Sequence, residues 1–263
     1  DALGEGIRVD RVAAEALALE GKALVASVDE AAAVEVVNCG KSFAGHDVAV
    51  FDAADELSSE PLPDRVVGEL RLRGPSITRG YFDDPELTAA AFAGDWLRTG
   101  DLGYLVDGDV FVCGRKKELI IVNGRNYYPQ DLEGEASQVQ GVRKGNVIAF
   151  GSQGPLGDRE RVVIVFETSV VDLQARDELQ QGVRRAVRES SGLGIDDVIA
   201  LDAGVLPKTS SGKLKRNETR QLYQAGTLAR RTSIRKPDYL GTAVEIAKSQ
   251  LGYVRHALFR DKK

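Results

Sequence analysis

The dipeptide Asp107-Gly108 most constrains what this chain can become. It stands between Leu105-Val106 and Val110-Phe111-Val112, and an Asp-Gly pair between apolar runs specifies a tight hairpin because a type I′ turn needs positive φ. The spacing predicts a hairpin over about 104–112. Ahead of it runs Arg98-Thr99-Gly100-Asp101-Leu102-Gly103, where two glycines flank one carboxylate and let backbone or a ligand come close to it. Behind it runs Gly114-Arg115-Lys116-Lys117-Glu118, a charged joint before the apolar Leu119-Ile120-Ile121-Val122.

Upstream, Asp10 is placed to cap a helix over 11–20 that carries Val12, Ala13, Ala16 and Leu17 on one side and stops at Gly21. Residues 47–51 and 66–73 read as strands. In the second, Leu70 and Leu72 alternate with Glu69, Arg71 and Arg73, the pattern of a half-buried sheet. The loop over 57–64 holds Pro61 and Pro63. Asp84-Pro85-Glu86 is a helix start, with Asp as cap and Pro at the first helical position, leading into Leu87, Ala90, Ala91 and Phe92 and ending at Gly94. Residues 1–112 thus make a mostly β unit.

Downstream the pattern changes to alternating strands and helices. Pro129 opens a helix with Leu132 and Ala136; 147–150, 161–167 and 198–201 are strands; Leu179, Val183, Ala186 and Val187 form a helical apolar face. Asn217 is placed to cap a last helix through Leu222 and Tyr223, stopped by Gly226. A basic linker follows over 230–237. Over 242–259, Val244, Ala247, Leu251, Val254 and Leu258 make an amphipathic stripe that either docks back on the chain or meets a partner. No internal repeat or low-complexity segment stands out.

Composition removes several classes. A formal charge of −5 and a pI near 5.3 argue against non-specific nucleic-acid binding, which needs a basic footprint. No apolar run approaches the ~20 residues of a membrane span. Two cysteines, Cys39 and Cys113, make no disulfide framework, so a reducing, cytoplasmic setting is expected. His46 and His256 lack neighbouring acid or thiol partners, so no metal site is expected. The absence of methionine and the opening at Asp1 suggest a piece of a longer protein.

Three ordered motifs carry a resemblance. WLRTGDLG, then GRKKELIIVNGRN with YPQDLE, then PKTSSGKLKR over 207–216 are similar to the carboxyl-terminal motifs of the adenylate-forming superfamily of acyl and aryl ligases, luciferases and peptide-synthetase adenylation domains. Within it, GRNYYPQDLE and the segment 6–40 most resemble fatty acyl-AMP ligases, which activate fatty acids as adenylates and hand them to carrier proteins. The resemblance runs to about Arg231.

It implies an α+β chain: 1–114 as the β-rich end of a large amino-terminal domain with a family-type insertion near 6–37, a hinge over 115–118, a small mobile carboxyl-terminal lid domain over 119–235, and a linker and tail over 236–263. An ordinary connecting helix is the alternative for the insertion. The superfamily's phosphate loop and its aromatic-Gly-x-x-Glu motif lie upstream of its ribose-binding Asp, and neither occurs over 1–98. The magnesium ligand is therefore expected outside this chain, and the chain by itself is expected to be inactive.

The resemblance also assigns roles. Lys213, in a small polar loop hinged by Gly212, would be the catalytic cation that stabilises charge as a carboxylate joins the α-phosphate of ATP. The spacing over 207–214 does not fit a nucleotide P-loop. Asp101 would accept hydrogen bonds from the ribose hydroxyls, and Arg115 would add donors on the ribose or phosphate side. Lys117 falls on the hinge position, and Gly124 matches the glycine that approaches the thiol channel in thioester-forming relatives. The implied cofactors and partners are ATP, magnesium, a fatty acid, and an acyl carrier protein or the carrier domain of a polyketide or peptide synthase. The alternatives are a fatty acyl-CoA synthetase and, from another class, a non-catalytic folding or carrier-docking module.

Overall fold

The computed structural model describes residues 7–30, 32–56, 58–153 and 159–228; the basic linker, the tail and Asp1 lie outside the described residues. The fold is a strand-rich α+β arrangement. Its amino-terminal part is one antiparallel sheet in the order β1-β2-β7-β6-β4-β3, with β5 pairing β6. The strands are β1 (Val9–Ala13), β2 (Ala33–Lys41), β3 (Asp47–Phe51), β4 (Gly68–Arg73), β5 (Phe92–Ala93), β6 (Trp96–Val106) and β7 (Asp109–Arg115). The helices α1 (Ala14–Glu20) and α2 (Pro85–Ala91) belong to the same part.

The Asp-Gly hairpin forms where the sequence places it. Asp107 and Gly108 take φ of 52° and 79°, and Val106 pairs Asp109 across the turn. Helix α2 starts as expected, with the Asp84 side chain accepting from the Leu87 amide. It stops at Ala91, and Gly94 instead serves the tight turn between β5 and β6.

Two expectations fail here. The helix over 11–20 is shorter, because Asp10–Ala13 pair with Ala33–Val36 as strand β1, and Asp10 caps nothing. Its carboxylate takes the Tyr104 hydroxyl at 2.8 Å and Arg65 at 3.1 Å. Gly21 does end the helix, in the left-handed conformation. The half-buried pattern for β4 also fails: Glu69 and Arg71 are as buried as Leu70. Arg71 lies 4.5 Å over the Phe51 ring, donates to Glu69 at 3.3 Å and to the Ser58 carbonyl at 2.8 Å. A planar, weakly hydrated guanidinium can stack and pair in this way, so binary patterning misjudges it.

The carboxyl-terminal part holds the hairpin β8 (Ile120–Val122) and β9 (Arg125–Tyr127), helix α3 (Pro129–Gln138), then β10 (Val142–Gln153), β11 (Glu160–Thr168), α4 (Leu173–Ser191), β12 (Asp197–Asp202) and α5 (Arg216–Gln224). β10 and β11 are antiparallel, and α4 carries the chain over to β12, parallel to β11. The apolar run of β11 is buried on both faces, as a covered strand requires. Val162, Ile164 and Phe166 join the core under α3 and α4, and Val163 and Val165 join the one formed with Leu206, Leu228 and Tyr223 of α5. Full burial of each such side chain is worth about 1.5–3 kcal/mol. The last helix starts two residues earlier than expected, after Lys215, so Asn217 lies inside it.

Candidate active site

Strand β6 is irregular where the carboxylate sits. Glu69 of β4 pairs Leu102, yet Arg71 pairs Arg98, so Thr99, Gly100 and Asp101 form a bulge; β7 is irregular opposite, between Val112 and Gly114. Gly100 takes φ of 71°, which an L side chain resists, and the Thr99 hydroxyl locks the bulge by donating to the Leu70 carbonyl at 2.6 Å and accepting the Asp101 amide at 3.0 Å. Gly103 is needed for space: a Cβ there would lie 2.3 Å from the Phe111 carbonyl oxygen. The bulge re-aims Asp101 toward Arg115, whose Nε is 3.0 Å from its Oδ1. The Asp101 side chain is 31% exposed and Arg115 65%.

The charged joint folds as a single 3-10 turn over Lys116–Glu118, closed by the Leu119 amide on the Arg115 carbonyl at 3.1 Å. Lys117 points to solvent and Lys116 approaches Glu56. Gly124 stands at the exposed tip of the β8–β9 turn, where Asn123 and Gly124 take φ of 52° and 75°.

Lys213 lies on an arch. Lys208 and Leu214 pair across its limbs, the Thr209 amide donates to the Lys213 carbonyl at 2.8 Å, and the Lys213 amide donates to the Thr209 hydroxyl at 3.0 Å. The tip over 210–213 is exposed, with Gly212 at φ of 85°. Among the described residues Lys213 makes no ion pair, while its neighbours Lys208, Lys215 and Arg216 all do. Asp101 and Arg115 are brought together; no hydrogen bond or ion pair among the described residues joins Lys213 to either.

Sequence reasoning missed the anchor beneath the arch. Arg216 donates to the Ala149 carbonyl at 3.0 Å and to Glu133 at 2.7 Å, and pairs with Glu118. One guanidinium thus ties together the charged joint, the YPQDLE motif and the PKTSSGKLKR motif. Burial raises the Glu133 carboxyl, with Arg216 and the Ala149 amide working against the rise. All three residues stand in the quoted motifs, which is the signal that was available.

A cleft of about 240 Å³ opens between β2, β7 and the start of α3, lined by Leu17, Val36, Cys113, Tyr128, Gln130 and Asp131. Burial, then the Asp131 charge, pushes the Cys113 thiol up to about 12, so it is no nucleophile at neutral pH. Burial, then Glu135 and Glu133, raises Asp131 to about 6. Among the described residues no three His, Cys, Asp or Glu side chains gather to hold a metal, and no helix is long and apolar enough to cross a membrane.

No protein-family model matches the chain. A putative acyl-CoA synthetase of Caulobacter vibrioides is 37% identical over 86% of the chain, and the medium-chain-fatty-acid–acyl-carrier-protein ligase JamA of Moorena producens is 34% identical over 86%. The long-chain-fatty-acid–AMP ligase FadD32 of Mycolicibacterium smegmatis is 30% identical over 79%. The match spans 38–39% of the length of these relatives. Among solved structures, a fatty acyl-adenylate ligase from a study of the E. coli and L. pneumophila enzymes superposes with a TM-score of 0.75 at 34% identity, covering 86% of this chain and 39% of that one. McyG A-PCP complexed with phenylalanyl-adenylate gives 0.67 at 31%, over 74% and 35%. ATP-bound MatB from Rhodopseudomonas palustris gives 0.59 at 26%, over 72% and 36%.

The chain belongs to the adenylate-forming ligases. Within them it is a partial, carboxyl-terminal-like portion whose relatives are the fatty-acid-activating members.

Proposed function

We propose that this chain is the portion of a fatty acyl-AMP ligase that clamps the nucleotide ribose and supplies the mobile catalytic cation. The complete enzyme uses ATP with magnesium to convert a fatty acid into its acyl-adenylate and passes it to an acyl carrier protein or a carrier domain. The observation that carries this reading is Lys213: a cation on an exposed arch with no ion-pair partner among the described residues, above a base pinned by Arg216. An ammonium so placed can meet phosphoryl and carboxylate oxygens as charge develops. Asp101 takes the ribose hydroxyls, and Arg115 holds the Asp101 carboxylate and offers its remaining donors to the nucleotide.

Lys117 serves as the hinge about which the carboxyl-terminal part turns between adenylation and transfer. No residue of this chain is assigned to magnesium. By itself the 263-residue chain forms no acyl-adenylate, because it holds no phosphate loop for the triphosphate. Incubation with ATP, magnesium and radiolabelled fatty acid tests this, and product above blank refutes it.

The acyl-CoA synthetase reading is favoured by the Caulobacter relative, which is named as such a synthetase. Against it stands helix α1, which packs on β9 with Glu15 3.8 Å from Arg125, where it can restrain the thioester-forming rotation. Assaying the complete protein for acyl-adenylate and for acyl-CoA decides between them: acyl-adenylate without CoA thioester supports the ligase, and efficient thioester formation sinks it.

A further inference from the structure

We propose that Glu167 is a positioning residue for Lys213: through the Leu206 amide and Lys208 it fixes the incoming limb of the arch. The inference rests on the role proposed above for Lys213. Glu167 ends the apolar run of β11 on the same face as Val163 and Val165, and its side chain has 0% exposure. Burying an ionised carboxylate is costly unless its oxygens are satisfied.

Here each oxygen has a partner. Oε1 accepts the Leu206 amide at 2.9 Å; Oε2 takes Arg143 at 2.8 Å and lies 4.0 Å from the Lys208 ammonium. That ammonium also donates to Asn146 of β10. Leu206 directly precedes Pro207, whose carbonyl accepts the Lys215 amide at 2.9 Å and closes the base of the arch. The outgoing limb is fixed separately by Arg216 on Ala149 and Glu133.

The base is therefore clamped on both limbs and the tip is left exposed. That is how a cation on a flexible stem acquires a defined point of delivery. Two residues, Thr209 and Ser210, separate Lys208 from the exposed Ser211-Gly212-Lys213, so a shift at the base is carried to the ammonium. A misplacement of about 1 Å at a reacting group can cost ~100-fold in rate.

The test uses the complete enzyme and ATP–pyrophosphate exchange. Glu167→Leu should lower kcat about tenfold or more with KM for ATP within about twofold, because nucleotide binding is made elsewhere. Glu167→Gln keeps a carbonyl for the Leu206 amide but turns an amide N–H2 toward Arg143 and Lys208, so it should restore kcat in part, to a value between Glu167→Leu and the parent. Transfer of supplied acyl-adenylate to the carrier should be unchanged in both. Combined with Lys213→Ala, Glu167→Leu should lower the single-turnover residual rate no further, the signature of action through that lysine. If Glu167→Leu does not fold, Lys208→Met, at an exposed side chain, should show a kcat loss of about threefold or more with the same non-additivity.

Parental kcat in Glu167→Leu, or in Lys208→Met where that variant stands in, overturns the proposal. So do penalties that multiply with Lys213→Ala. A dead Lys213→Ala beside a parental Glu167→Leu refutes this inference alone, whereas parental exchange in Lys213→Ala refutes the role of Lys213 and this inference with it.

Discussion

Asp101 and Arg115 face each other across the β6–β7 ladder, with Arg115 Nε 3.0 Å from Asp101 Oδ1. The pair gives the carboxylate a partner that biases its orientation before any ligand arrives, and pre-oriented acceptors lose less on binding than mobile ones. In the complete enzyme Asp101→Ala should raise KM for ATP and lower kcat, since a ribose clamp both binds and orients. Comparing ATP with 2′-deoxy-ATP isolates the contact. Equal losses toward the two nucleotides would show that Asp101 does not read that hydroxyl.

Lys213→Ala should abolish adenylate formation and leave the fold unchanged, because the side chain is exposed and makes no ion pair among the described residues. Loss of one transition-state cation costs about 3–4 kcal/mol by comparison with other electrostatic donors. Exchange within threefold of the parent sinks the assignment, and so does a melted protein.

Asp131 gives the clearest pH signature. Its carboxyl is raised to about 6 by burial, then by Glu135 and Glu133, so between the ordinary carboxylate range and about 6 the folded chain holds a proton that the unfolded chain releases. Stability from this site is present in acid and is lost as pH rises toward that value. Asp131→Asn should therefore stabilise the chain above about pH 6 and have no such effect near pH 3. Asp131 is exposed at the surface while its inner side lines the cleft, so solvent screens much of the burial cost and the gain is small. Urea denaturation of parent and variant at the two pH values measures it; an equal gain at both would refute the charge argument.

Helix α1 offers the test of acceptor choice. Excision of the whole insertion would remove β1 and the buried Val12 together with α1, so the variant that gives up less of the core replaces Ala14–Glu20 alone, losing the buried Ala16 and Leu17, with a short Gly/Ser bridge. A bias of ~1.4 kcal/mol between two orientations shifts them tenfold. Removing the helix from the complete enzyme should let acyl-CoA appear while adenylation persists. Persistent adenylation with no acyl-CoA would mean that CoA is refused at its own channel.

Local chemistry made much of this fold legible. Asp107-Gly108, Asp84-Pro85 and Gly21 act through φ and capping within a few residues, and all three did what their residue types dictate. The failures came from partners distant in sequence. Asp10 was available as a cap, yet Tyr104 and Arg65, 94 and 55 residues away, claim its carboxylate. Arg71 looked solvent-facing until Phe51 and Glu69 gave it a buried seat. The candidate site was legible as motifs, but the Arg216 anchor and the Glu167 support were not, because pairings across 83 and 39 residues leave no periodic trace.

Tyr128 is the residue to consider when cutting this chain into pieces. Its ring sits in the apolar cluster of the seven-stranded sheet beside Val12, Leu17 and Cys113, while the next residue, Pro129, begins α3 over the other sheet. Gln130 reaches back to the Cys113 carbonyl, and a Cβ on Gly114 would lie 2.8 Å from the Tyr128 ring. A polypeptide ended at Glu118 would keep a hole the size of a phenol in its core, and its complement would carry the plug uncovered. The charged joint that looks like the seam of the molecule is thus a poor place for a stop codon, and a soluble amino-terminal piece has to run past Gln130.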